Sequence, residues 1–149
     1  MKFWGRVKLG NRLTINLKIG ILGGTFDPAH KGHVKISKLS KKIFKLNYII
    51  WAITKKNPFK KKSSLNLISR INFAKKITKK EKFIKINYYE KKINSNKTID
   101  LINHIKKNNK KIDLYFIIGA DNLINFHKWH KWKSISKKCY ILVFDRQGY

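Results

Sequence analysis

Acidic residues are scarce in this 149-residue chain: 7 Asp and Glu stand against 36 Lys and Arg, a formal net charge of +29. Such an excess attracts polyanions, whether nucleic acid, an anionic membrane or phosphorylated small molecules. It does not single one out. Lysine, isoleucine and asparagine dominate expected helices and loops alike, which reads as a bias spread along the chain rather than a dedicated nucleic-acid surface. Cysteine is almost missing. Cys139 stands alone in the apolar run "CYILVF", which excludes an internal disulfide and reads as a buried strand. No run approaches the roughly 18 apolar residues of a membrane span. The N-terminal "MKFWGRVKLGNRLTIN" is basic but lacks the continuous apolar stretch of a signal peptide. A reducing, cytoplasmic setting is expected. There is no internal repeat and no long linker, and the length suits one domain with a real core.

What is present is an alternation of apolar runs and helical periods. "LKIGILG" (17–23), "YIIWAIT" (48–54), "DLYFIIG" (113–119) and "CYILVF" (139–144) read as buried strands. "KFIKINY" (82–88) alternates, with Ile84, Ile86 and Tyr88 on one side, and reads as a strand nearer an edge. Between them, residues 32–45 put Ile36, Leu39 and Ile43 on one helical face, and residues 64–78 do so with Leu67, Ile71 and Ala74. Residues 98–107 carry Leu101, Ile102 and Ile105, and a short helical stretch with aromatics follows the fourth strand. "NPFKKK" reads as a loop, because the residue before proline avoids the helical region. Continuously apolar strands separated by helices imply a parallel sheet covered on both faces, an α/β, doubly wound, Rossmann-like fold of about five strands. Residues 1–16 fall outside this pattern and are expected to be peripheral.

The chemistry concentrates in "GGTFDPAHKGH" (23–33), between the first buried strand and a helix. In an open parallel sheet, ligands sit at the carboxyl ends of strands. Gly23 and Gly24 let backbone amides approach a phosphate closely. The helix that follows offers unpaired N–H groups and the positive end of its dipole. His30 and His33, three apart at its entrance, can both face one anion. Neither G-x-x-x-x-G-K-[ST] nor G-x-G-x-x-G is present, so the two common phosphate fingerprints are excluded. What remains is a phosphate site built on imidazoles. A four-histidine metal site from the pairs 30/33 and 127/130 is the bland competitor; the glycines and helix entrance already explain the first pair, and no metal ligand is assigned. His104 reads as a surface residue, His127 as a loop residue, and Phe126 and Trp132 as core.

"HKGH" (30–33) resembles the signature of the (H/T)-x-G-H nucleotidylyltransferases, and the longer string resembles their bacterial nicotinate-nucleotide adenylyltransferase branch. "WAITKKNPFK" (51–60), "SRINFA" (69–74), "FIIGADNLINFHKWHKW" (116–132) and "DRQGY" (145–149) resemble further motifs of that branch in the same order. The resemblance spans about residues 18–149. It implies transfer of the adenylyl group of ATP to nicotinate mononucleotide, with Mg²⁺ held mainly by the ATP phosphates. His30 and His33 would be catalytic. Gly23, Gly24, Thr25, Phe26, Asp121 and Arg146 would bind ATP, and Lys60, Arg70, Thr98, Trp129 and His130 the second nucleotide. Trp129 would stack on the pyridine ring, with amides near Thr98 and His130 holding its carboxylate. The alternatives are a phosphopantetheine adenylyltransferase of the same fold, whose motif has Thr at position 30, and an inactive, basic nucleic-acid-binding remnant. Lys97 stands where the family has a bulky residue, Asn122 where it has Ser, and Gln147 where it has Pro. The family continues past this turn to a last strand and a phosphate-gripping segment, so residues 17–149 are expected to form a C-terminally incomplete domain.

Overall fold

The computed structural model describes residues 3–5, 16–57 and 61–145. Its strands are β1 (Phe3–Gly5), β2 (Leu17–Gly24), β3 (Tyr48–Ile53), β4 (Ile84–Asn87), β5 (Ile112–Gly119) and β6 (Tyr140–Phe144). Its helices are α1 (Lys31–Phe44), α2 (Leu67–Ile77), α3 (Glu90–Ile93), α4 (Thr98–Asn108), α5 (Ala120–Ile124) and α6 (Trp132–Lys138), with a 3-10 turn at Phe126–Lys128. They build one sheet in the order β1-β6-β5-β2-β3-β4. Strands β2 to β6 are parallel, as the apolar runs predict. The sixth strand is an addition: β1 pairs antiparallel with β6, Phe3 opposite Phe144, so part of the segment expected to be peripheral belongs to the sheet.

Alternation along the strands divides the core in two. Ile19, Ile21, Ile50, Leu114, Phe116 and Ile118 pack on one face with Ile99, Ile102 and Ile105 of α4 and Ile135 of α6. Ile49, Trp51, Ile53, Tyr115, Ile117 and Phe144 pack on the other with Ile36 of α1 and Ala74 of α2. Burial on both faces is why these strands read as unbroken apolar runs. Gly20 of β2 permits one close approach: a Cβ there would lie 3.0 Å from Ile49 Cγ1 and from Leu46 Cδ1, and 3.3 Å from Ile117 Cδ1. Lys45 ends α1 in the left-handed region at φ 53° and turns the chain so that Leu46 enters the core.

Departures from the sequence reading are local. Ile43 is 45% exposed although its spacing puts it with Ile36 and Leu39, because it falls in the last turn of α1 beyond the sheet contact. Helix α2 begins at Leu67 rather than 64, because Asn66 caps it by accepting a hydrogen bond from the Ser69 amide at 2.8 Å. Cys139 is buried; its thiol donates to the Ile135 carbonyl, and desolvation pushes its pKa up to about 12. No helix among the described residues is long and apolar enough to cross a membrane.

Candidate active site

Strand β2 lies between β3 and β5, so the chain leaves its carboxyl end at the point where connections diverge to the two sheet faces. There it forms the turn Thr25–Ala29 and enters α1. His30 is the N-cap, in extended conformation, and its Nδ1 accepts from the Gly32 amide at 3.1 Å. His33, at the third helical position, accepts the His30 amide on its own Nδ1 at 3.1 Å. This is a reciprocal capping box in which imidazoles replace the usual Ser and Glu. The ring centroids lie 3.9 Å apart. The box also sets the protonation pattern: an Nδ1 that accepts carries no hydrogen, so a neutral ring bears its proton on Nε2. Both histidines thereby present Nε2–H donors beside the N-terminus of α1.

Aromatic packing fixes His33 from below. Phe26 takes a left-handed backbone conformation at φ 49°, rare for a bulky residue. Its ring is buried between His33, at 4.8 Å, and Trp51, on which it stacks at 4.9 Å. Trp51 is fully buried on β3 and donates from Nε1 to Ser37 Oγ at 2.8 Å; Ser37 in turn donates to the His33 carbonyl at 2.8 Å.

Around the imidazoles opens a cleft of about 1050 Å³, just above the roughly 300–1,000 Å³ range of small-molecule sites. Gly23, Gly24, Thr25 and Phe26 line it with the two histidines, while Thr98, Trp129 and His130 line it from α4 and the segment after the 3-10 turn. Trp129 stands edge-on to Phe116 at 5.8 Å and to Phe126 at 5.4 Å, which braces a half-buried indole. Among the described residues the lining includes Lys56, Lys61, Lys97 and Lys128 but one carboxylate, Asp27. Asp27 accepts hydrogen bonds from the Ser64 and Leu65 amides, which hold its pKa below the ordinary 3.8. A smaller apolar recess of about 50 Å³ adjoins the cleft at Gly23, Thr98 and Phe116 and is lined also by Glu90, whose pKa is raised by burial.

The geometry distinguishes three of the expected site residues from the rest. Arg70 is 2% exposed and gives its donors to backbone carbonyls, so it does not reach a substrate phosphate. Phe26 borders the cleft, but its ring supports His33 from within the core. Asp121, in the first turn of α5, is outside the lining, to which its neighbour Asn122 contributes. Lys60 and Arg146 lie outside the described residues. Sequence reasoning missed Lys56, Lys61, Lys97 and Lys128, because nothing marks a cleft lysine in so lysine-rich a chain. Asp27, the one acid of "GGTFDPAHKGH", holds residues 64–65 through their amides, a role its sequence context does not reveal.

The carboxyl edge of the parallel strands thus carries paired imidazoles and a lysine-lined cleft. The cytidylyltransferase-like family model matches residues 21–148. A "Probable nicotinate-nucleotide adenylyltransferase" of Pelagibacter ubique is 70% identical over 132 residues, covering 89% of this chain and 73% of that protein. One of the same description from a Nitratiruptor species is 36% identical over 134 residues, covering 89% and 76%. The fold is shared with a Plasmodium falciparum nicotinic acid mononucleotide adenylyltransferase solved in complex with NaAD, with TM-score 0.67, 18% identity and coverage of 89% and 76%. The chain belongs to the cytidylyltransferase-like family, among its nicotinate-nucleotide adenylyltransferases.

Proposed function

We propose that this chain transfers the adenylyl group of ATP to nicotinate mononucleotide, with His30 and His33 meeting the charge at the reacting phosphorus. The observation that carries the reading is the capping box: two imidazoles 3.9 Å apart, each accepting a backbone amide on Nδ1 and so left to donate through Nε2, on the lining of a cleft of about 1050 Å³. A phosphate oxygen of nicotinate mononucleotide attacks the α-phosphorus of ATP. The new P–O bond forms as the α–β bridging bond breaks, giving deamido-NAD and pyrophosphate. The attacking phosphate is already anionic, so no general base is needed. Catalysis then rests on alignment and on charge stabilisation.

Nε2–H groups and the amides opening α1 meet the non-bridging oxygens, where preorganised donors act most strongly. Gly23 and Gly24 admit the backbone close to the phosphates, Thr25 borders them, and the cationic lining attracts both substrates. Trp129 offers a face for the pyridine ring, in a contact worth about 1–3 kcal/mol, with Thr98 and His130 beside it. Mg²⁺ fits as a complex with the triphosphate, since the lining's carboxylate, Asp27, is already engaged by two amides; the ion would neutralise charge on the leaving pyrophosphate. The cytoplasm is the proposed setting, in keeping with a thiol left unpaired.

Pyrophosphate release from ATP and Mg²⁺, measured with nicotinate mononucleotide, nicotinamide mononucleotide and phosphopantetheine in turn, tests the reading. Turnover is expected with nicotinate mononucleotide and is expected to fall in Trp129→Ala mainly through KM. Turnover with phosphopantetheine alone would overturn it.

A further inference from the structure

Arg70 is the one charged side chain in the buried set of the described residues. A buried guanidinium requires partners for its N–H groups. Here none of the observed hydrogen-bond partners is a carboxylate. Nη1 donates to the carbonyls of Thr25 at 2.7 Å and Thr54 at 2.8 Å, Nη2 to Lys55 at 2.9 Å, and Nε to Leu65 at 3.1 Å. These carbonyls belong to three separate segments: the turn after β2, the exit of β3 and the entry to α2. Two carboxylates hold two of the same segments through their amides, and at Thr54–Lys55 the two sides of one peptide are held. Asp27 accepts the Ser64 and Leu65 amides, and Glu90 Oε2 accepts the Lys55 amide at 3.2 Å. Just beyond these anchored peptides lie Lys56 and Asn57 on one side and Lys61 and Ser63 on the other, all four lining the cleft.

We propose that Arg70 is a positioning residue: its guanidinium fastens the glycine turn to both anchored peptides, and so places Lys56, Asn57, Lys61 and Ser63 for substrate binding. It acts on substrate affinity through four carbonyls and touches no reacting atom. Planarity is essential to this role. A guanidinium projects donors in fixed, divergent directions, whereas an ammonium is a compact point charge with three donors that cannot span three segments. This inference rests on the adenylyltransferase reading for its kinetic part only.

The test pairs Arg70→Lys with Asp27→Ala, which removes the acceptor of the Ser64 and Leu65 amides and a carboxylate charge that faces Arg70. Two measurements are made on each. Limited trypsin digestion without substrate reads cleavage after Lys55, Lys56, Lys61 and Lys62 independently of any activity. Steady-state kinetics of pyrophosphate release then separate KM from kcat. In Arg70→Lys, cleavage at these lysines is expected to accelerate at least tenfold while cleavage elsewhere stays unchanged. KM for at least one nucleotide should rise tenfold or more, with kcat within about threefold. Asp27→Ala should show the same pattern at smaller amplitude, and carries the test if Arg70→Lys fails to fold. Unchanged cleavage at these lysines, or a loss confined to kcat, would overturn the positioning role. If accelerated cleavage occurs in a chain whose wild type releases no pyrophosphate, the reaction reading fails and the anchoring role stands.

Discussion

Replacing His33 separates what the capping box does for folding from what it does for catalysis. In His33→Ala the His30 amide loses its acceptor, and loss of a cap costs about 1 kcal/mol. The ring contact with Phe26 at 4.8 Å adds about 0.5–1.5 kcal/mol. Together these come to about 2 kcal/mol, which for a domain of this size lowers Tm by about 4–8 °C. A chain with a typical margin of roughly 5–15 kcal/mol stays folded at room temperature. The loss of one preorganised donor costs turnover about 10²–10³-fold, equivalent to about 3–4 kcal/mol. The two effects part company in His33→Glu. Glutamate at the third helical position is the usual capping-box partner and suits the helix dipole. Its stability should therefore lie closer to wild type than that of the alanine variant. Its carboxylate, however, faces an anionic phosphorus, so its turnover should be the lowest of the three. Differential scanning fluorimetry and single-turnover pyrophosphate release, run on the same preparations, read both axes. Loss of less than tenfold in His33→Ala, or a His33→Glu variant more active than His33→Ala, would refute the donor role.

Three further outcomes follow from local geometry. Gly20→Ala forces a Cβ to 3.0 Å from Ile49 and Leu46, and overpacking of this kind should cost about 1–3 kcal/mol in urea unfolding, with no change in the cleft. Lys45→Gly relieves the left-handed end of α1 and should raise stability by about 1 kcal/mol, seen as a higher Tm. Asp27 has its pKa lowered by two amides, so its stabilising contribution is present above 3.8 and is lost as pH falls through the lower, folded-state value. The urea midpoint of wild type should accordingly exceed that of Asp27→Asn at about pH 6, and the gap should close as pH drops below 3.8; a gap independent of pH would refute this.

The fold was legible because burial on two faces leaves a simple mark: four unbroken apolar runs, each of which is a parallel strand of the sheet. The edge strand β4 alternates and was readable for the opposite reason. β1 was not, since three residues in an antiparallel edge pairing carry too little pattern to stand out. At the site, the spacing of His30 and His33 announced a shared face, but not the reciprocal amide bonds that orient the rings. Arg70 reads as a phosphate ligand in the sequence because basic side chains near a nucleotide motif carry no sign of burial. Its partners are carbonyls from positions 25, 54, 55 and 65, a set that exists only once the chain is folded.

Cys139, the chain's single sulfhydryl, sits buried between the end of α6 and the start of β6, with its ionisation pushed up to about 12. At neutral pH it offers essentially no thiolate to an alkylating reagent. A maleimide dye would therefore find no native attachment point, and one cysteine introduced at Ile124, 74% exposed and outside the cleft lining, would carry the whole label. Fluorescence from that position could follow nucleotide arrival in an otherwise unaltered background.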